Sequence, residues 1–295
     1  MKTDLYRGCP ACASVERRAV GEKNGFAFFD CRSCATLYTG EIPAEGQAED
    51  YDEYYSESNL SVPEFVSQRV REIVGGFEAY RGSGRLLDIG FGAGTILKIA
   101  AELGWDVYGL EVSKPAVDQA SREGFKVFHG KLLDAGYTSD HFDVITASEI
   151  LEHLDSPIDN LAEVRRILRP GGLFWATTPS CRSLSRRTMG LNWTVASPPE
   201  HVQLFSRKGV LMMLRESGFV PISVKTAGLN PYELVGHFQS RSQDRDRTFD
   251  RVSSAYALNE SMTSSPIKKF AKGVANAALG VTGLGDSIKI AATKR

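Results

Sequence analysis

The feature that most constrains the fold is Leu86-Leu87-Asp88-Ile89-Gly90-Phe91-Gly92-Ala93-Gly94, where an apolar run stops at a glycine-rich turn and a helical pattern begins. A strand that is apolar on both faces must be covered on both, as in a parallel sheet flanked by helices. The residues downstream repeat the alternation. A helix over Thr95 to Leu103 is followed by the strand DVYGLE, a helix over Pro115 to Arg122 and the strand FKVFHG. FDVITAS and GLFWATTP follow, separated by a helix over Ile158 to Leu168 that Pro170-Gly171-Gly172 closes. These five strands predict a doubly wound α/β sheet. After a helix over Arg207 to Ser217, FVPISVKTA and DSIKIAATK add a sixth and a seventh strand. Residues 228–285 between them are too many for a hairpin loop and are expected to form an inserted subregion.

The chemistry of the turn follows from its spacing. In the dinucleotide fingerprint G-x-G-x-x-G the third glycine comes one residue later than Gly94, and here Asp88 sits two before Gly90. A carboxylate beside the turn repels a pyrophosphate but can hold an ammonium group, while the amides of the following helix suit a carboxylate. Glu111 ends the second strand, where an acid can accept hydrogen bonds from ribose hydroxyls. LLDIGFGAG, YGLEVS, FDVITASEILEHL and LRPGGLFWATTP together resemble the successive motifs of class I S-adenosylmethionine (SAM) methyltransferases, from about Arg85 to Pro179. That resemblance implies a Rossmann-like seven-stranded sheet and SAM as cofactor. It implies Asp88, Gly90, Phe91 and Gly92 at the aminoacid part of SAM and Glu111 at the ribose. Leu132 would offer a backbone contact to adenine; the family's acid near this point aligns with Lys131, and Asp134 lies three residues on.

Four of the five cysteines form two C-x-x-C pairs, Cys9/Cys12 and Cys31/Cys34, eighteen residues apart. Four thiolates at this spacing make a closed tetrahedral zinc site, structural because no ligand position is left open. The intervening turn and aromatic strand predict a zinc ribbon, and Cys181 is expected to be structural. The organisation read from the sequence is a ribbon over 1–45, a linker and helix over 46–83 (helical from Pro63 to Tyr80), and a SAM-binding domain over 84–295 with the 228–285 insertion. In the linker, Tyr51, Tyr54 and Tyr55 stand either as a cover for the cofactor or as an aromatic docking surface.

Two segments fall at the carboxyl edge of the sheet. Glu149-Ile150-Leu151-Glu152-His153 is similar to an E-x-x-E-H segment that quinone-biosynthetic O-methyltransferases associate with a divalent metal; helix capping and packing is the competing reading. His153 is therefore a candidate catalytic residue. His201, in Pro198-Pro199-Glu200-His201, is the candidate general base, since an imidazole with an ordinary pKa of about 6.5 can take a proton at neutral pH. Its E-H-x-x-x-F-S setting resembles sugar C-methyltransferases that also carry a four-cysteine module, although those enzymes continue into a further C-terminal domain.

A net charge of -1, from 35 basic and 36 acidic residues, gives no global field for nucleic acid, and no N-P-P-[YF] segment follows the fourth strand. No apolar run reaches the roughly 18 residues of a membrane span and no signal core opens the chain, so a cytoplasmic location is expected. Ser264 to Leu284, with Lys268, Lys269 and Lys272, reads as a core-packing helix, with membrane contact as the lesser alternative. The expected function is SAM-dependent methylation of a small-molecule acceptor (sugar, glycolipid or secondary metabolite), through oxygen in preference to carbon. An RNA methyltransferase and a noncatalytic SAM-fold binding partner are the rival readings; oligomeric state stays open.

Overall fold

The computed structural model describes residues 7–43, 63–240 and 266–295. Tyr51, Tyr54, Tyr55 and the side chains of Lys268, Lys269 and Lys272 lie outside the described residues.

The glycine-rich turn follows β4 (Arg85–Ile89) and opens α2 (Thr95–Glu102); α1 (Glu64–Gly75) precedes it. The winding continues through β5 (Asp106–Glu111), α3 (Lys114–Arg122), β6 (Lys126–His129), β7 (Phe142–Ser148), α4 (Pro157–Ile167) and β8 (Leu168–Pro179). After α5 (Leu184–Met189) and α6 (Arg207–Glu216) come β10 (Phe219–Ala227), α7 (Pro231–Ser240), α8 (Pro266–Thr282) and β11 (Ser287–Lys294). One seven-stranded sheet results, in the order β10-β11-β8-β7-β4-β5-β6. β4 pairs in parallel with both β5 and β7, whereas β11 runs antiparallel to β8 and β10. The winding therefore reverses at β4, and at such a switch point the carboxyl ends of the strands leave a crevice for ligands. Both faces are covered as the apolar strands require: Leu87, Ile145 and Phe174 belong to one buried cluster and Leu86, Val144 and Leu173 to the other.

Two boundaries differ from the expectation. The helix beginning at Pro63 is α-helical only to Gly75, and residues 76–80 tighten into a 3-10 turn, because the Gly75-Gly76 pair has the poorest helix propensity short of proline. Pro170-Gly171-Gly172 does not close α4. It lies as a bulge inside β8, where pairing with β7 jumps from Phe142/Leu168 to Val144/Leu173. The 228–285 segment contributes α7 and α8.

The N-terminal module is a separate sheet, β1 (Arg17–Lys23), β2 (Phe26–Cys31) and β3 (Leu37–Thr39), joined by a fourth strand from far along the chain, β9 (Gln203–Leu204). Thus the ribbon is built onto the segment that carries His201.

Candidate active site

Gly90 and Gly92 adopt φ of 67° and 50°, a left-handed backbone open to glycine at little cost. Gly90 is also the point of closest approach: a Cβ there would lie 2.0 Å from Ile150 Cδ1, so the segment after β7 packs directly on the turn. Glu111 is buried and binds the turn from β5, its Oε2 accepting from Gly92 N at 2.9 Å and its Oε1 from Val112 N and Ser113 N at 2.7 and 3.1 Å. Oε2 keeps capacity for a further donor such as a hydroxyl, and the buried Ser113 hydroxyl beside it has no partner. Asp88 is buried, with Oδ1 accepting from Thr146 Oγ1 at 2.6 Å. Burial, opposed by that hydrogen bond and reinforced by the charge of Glu111, pushes its carboxyl up to about 7. Two buried carboxylates at the mouth of a glycine turn fit a cationic ammonium and a ribose and disfavour a pyrophosphate. Phe91 points elsewhere: its ring packs within 2.6 Å of where a Cβ on Gly109 would stand, inside the core, so only its backbone faces the turn. Leu132 opens a 3-10 turn after β6 with its side chain buried, and Asp134 is exposed while Lys131 pairs with Asp155 at 3.5 Å.

The four cysteines converge. Their Sγ atoms all lie within 4.8 Å of one another, with Cys9–Cys34 at 3.5 Å and Cys12–Cys31 at 3.6 Å. A tetrahedral ion with metal–sulfur bonds of about 2.3 Å sets sulfurs roughly 3.8 Å apart, so the donor set fits zinc. The two knuckles are matching turns: Ala13 N and Ala35 N reach back to Cys9 O and Cys31 O, and both alanines have positive φ, 54° and 63°. Within the Cys9–Cys34 pair, the hydrogen bond between the sulfurs, with burial adding to it, pushes the Cys9 thiol up. The same hydrogen bond, aided by the Thr36 hydroxyl at 3.2 Å, holds Cys34 down at about 5. Cys181 is no ligand; its Sγ donates to Ala35 O at 3.1 Å and ties the end of β8 to the second knuckle.

At the carboxyl edge, Glu152, His153 and His201 bring one ligand-capable atom each to within 4.8 Å of the others. The rings of His153 and His201 meet edge to face with centroids 4.6 Å apart. Val195 O lies 2.7 Å from His201 Nδ1 and can only accept, so Nδ1 carries the proton and Nε2 the lone pair. Burial, and then the neighbouring His201, push His153 down to about 3, which leaves it neutral. Glu152 is fully buried: Oε2 accepts from Thr178 Oγ1 at 2.9 Å, Oε1 has no partner, and burial together with the nearby Glu149 raises it well above the usual carboxylate range. Glu149 itself is exposed, with Oε1 accepting from Ser287 Oγ at 3.3 Å. The converging set is thus Glu152-His153-His201, with His201 in place of Glu149.

The ribbon holds the His201 segment at several points. Lys23 Nζ donates to Trp193 O at 3.2 Å and Asn24 Nδ2 to Pro198 O at 2.8 Å. Leu37 and Tyr38 of β3 pair with Leu204 and Gln203 of β9. Ser206 caps α6 by accepting from Gly209 N, and its hydroxyl donates to Cys34 O. Gly209 is required there, since a Cβ would stand 2.3 Å from Thr36 Oγ1. Arg7, Asn24 and Gln203 fill no defined motif position, and Thr178 belongs to LRPGGLFWATTP only as a buried strand residue, so no local pattern marks the four as parts of this site.

The sheet order, the switch-point turn and its two carboxylates define a methyltransferase-type nucleotide fold. The family model described as "Methyltransferase domain" matches residues 61–224, more than half of the chain, and the chain belongs to that family. A ubiquinone biosynthesis O-methyltransferase of Roseobacter denitrificans is 30% identical over 167 residues, which cover 50% of this chain and 64% of that protein. One from Ruegeria pomeroyi is 25% identical over 206 residues, 63% of this chain and 80% of the relative. The chain thus spans somewhat less than two thirds of the first of these relatives. Among solved structures, a SAM-dependent methyltransferase from Archaeoglobus fulgidus superposes with a TM-score of 0.54 at 17% identity, over 83% of this chain and all of that one. A putative sarcosine dimethylglycine methyltransferase from Galdieria sulphuraria gives 0.51 at 16%, over 78% and 85%. These two share the fold.

Proposed function

We propose that the chain transfers the methyl group of SAM to an oxygen of a small-molecule acceptor. The observation that carries this reading is the placement of His201 and its partner His153 next to the segment that packs on the Gly90 turn. SAM, when bound, supplies an electrophilic methyl group. Asp88 and the turn amides would hold its ammonium and carboxylate, and Glu111 its ribose. His201 Nε2, made the acceptor nitrogen of the ring by the bond from Nδ1–H to Val195 O, accepts the proton of the acceptor hydroxyl as the oxygen attacks. His153 stays neutral beside it and so adds no charge that would oppose protonation of His201. Most of the acceleration then comes from alignment of donor and acceptor.

The relatives' names, which put them in ubiquinone biosynthesis, favour a hydroxylated aromatic ring as acceptor over a sugar or glycolipid. The sugar reading stands on E-H-x-x-x-F-S together with the four-cysteine module, and in that pattern Phe205 O accepts from Cys181 N while Ser206 bonds the ribbon at Cys34 O and caps α6. The four cysteines would hold zinc as a structural ion. No described helix is long and apolar enough to cross a membrane.

A second reading is favoured by the unpartnered, buried Glu152 Oε1: Glu152, His153 and His201 would hold a divalent cation that orients the acceptor oxygen. Transfer of radiolabelled methyl from SAM to a panel of phenols, catechols and sugars tests the function, with and without EDTA. Labelled catechols and a loss of roughly 10²- to 10⁴-fold in kcat for His201→Ala are expected. Abolition by EDTA with restoration by a divalent ion would select the second reading. SAM binding without label transfer to any acceptor would refute both.

A further inference from the structure

Gln203 is fully buried in β9, two residues past His201, and both ends of its amide are engaged. Its Nε2 donates to Leu151 O at 3.1 Å and to Leu154 O at 2.6 Å, the carbonyls that bracket Glu152 and His153. Its Oε1 accepts from Arg7 Nη2 at 2.9 Å. The amide can stand only one way round, because a guanidinium only donates and the carbonyls only accept. Arg7 is fixed in turn by the ribbon, its Nε donating to Thr39 O at 3.0 Å and its backbone N–H to Gly40 O at 2.9 Å, while Nη2 also donates to Val202 O at 2.8 Å in the His201 segment itself. It lies two residues before Cys9, so the first knuckle anchors it.

We propose that Gln203, oriented by Arg7, is the positioning residue that keeps the His201 strand in register with the Glu152–His153 turn. The two histidines reach the site from separate segments, one following β7 and the other approaching β9. A second tie between those segments is the hydrogen bond of His153 to the backbone of Glu200, made by one of the site's own side chains. Gln203 spares the site that dependence: one buried amide spans from the ribbon's arginine to both carbonyls around the turn. The cysteine module therefore supports the site from behind, since through Arg7 it sets the side chain that spaces the two imidazoles.

For its kinetic arm the inference rests on the methyl transfer proposed above, so the experiment also reads geometry without turnover. The full-length protein would carry Gln203→Met, of similar length with no donor, Gln203→Glu, which keeps an oxygen toward Arg7 but presents acceptors to both carbonyls, or Arg7→Lys. Nitrogen-15 NMR of the imidazoles, SAM binding by calorimetry, and kcat and KM on the best labelled acceptor are measured on each. The expected result is shifted His153 and His201 ring signals, SAM affinity within about twofold of wild type, and kcat lowered roughly 10- to 100-fold in both Gln203 variants, with Arg7→Lys between. Unshifted ring signals, or a lower melting temperature with wild-type kcat, would overturn the positioning role and leave a structural one. If the ring signals shift while wild type transfers no methyl group, the positioning stands and the proposed function falls.

Discussion

Asp88→Asn isolates what the buried carboxylate does. Its carboxyl is raised from 3.8 to about 7, chiefly by burial. At about 1.4 kcal/mol for each tenfold change in proton affinity, that rise is worth up to about 4 kcal/mol. Between about pH 4 and 7 the folded chain holds a proton that the unfolded chain has released, so this group makes stability fall as pH rises through that window and leaves a constant penalty above it. Asparagine keeps an oxygen for the Thr146 hydroxyl and carries no charge, so the cofactor-free variant should be more stable than wild type at pH 8 and lose the slope between pH 4 and 7. Binding should reverse the order. A cationic ammonium needs the ionised carboxylate, whose population falls about tenfold from pH 8 to pH 6 for a group titrating near 7. Wild-type affinity for SAM should fall by that factor, and Asp88→Asn should bind weakly and without that dependence. Urea melts and calorimetry across pH measure both. Wild-type affinity flat from pH 6 to 8, or a variant that binds as tightly as wild type at pH 8, would refute the assignment of Asp88 to the ammonium.

Cys31→Ser should lower the bound zinc from near one equivalent and reduce methyl transfer as well as melting temperature, because the ribbon holds the His201 segment; metal analysis beside an activity assay checks this. Gly209→Val should destabilise by about 1 to 3 kcal/mol and speed metal loss to a chelator, since the side chain collides with Thr36 at the second knuckle. Asp143→Ala should cost about 3 kcal/mol or more in denaturant melts, because it strands Arg169 and the amides of Gly82 and Gly84, all held by that buried carboxylate.

The parts of the site that could be read in the sequence are the local ones. Asp88, Gly90 and Gly92 lie within five residues, and Glu111 ends the adjacent strand, so strand, turn and acid announce each other. The knuckles are equally local, each closed by its own C-x-x-C turn. What escaped is made by distant pairs: Arg7 with Gln203, Asn24 with Pro198, Ser206 with Cys34. A two-residue strand such as β9 has no periodicity to detect. The motif places Phe91 at the turn, whereas the bare Gly109 draws its ring into the core, and a glycine pair ends α1 where apolar spacing alone runs on. The pairing of E-H-x-x-x-F-S with a four-cysteine module has a physical basis here. Phe205 is buried in the cluster that contains the knuckle cysteines and Ser206 bonds Cys34 O, so this stretch docks the ribbon beside the candidate base His201.

Whether the Gly90 turn and Glu111 bind SAM is measured by calorimetry of SAM and S-adenosylhomocysteine on wild type and Glu111→Ala, with NAD as control. Both adenosyl ligands should bind, at least tenfold more weakly in the variant for the loss of hydrogen bonds worth about 1.5 to 3 kcal/mol to a charged acceptor, and NAD should not bind. Binding of NAD in preference, or SAM affinity untouched by the substitution, would contradict SAM binding at this turn.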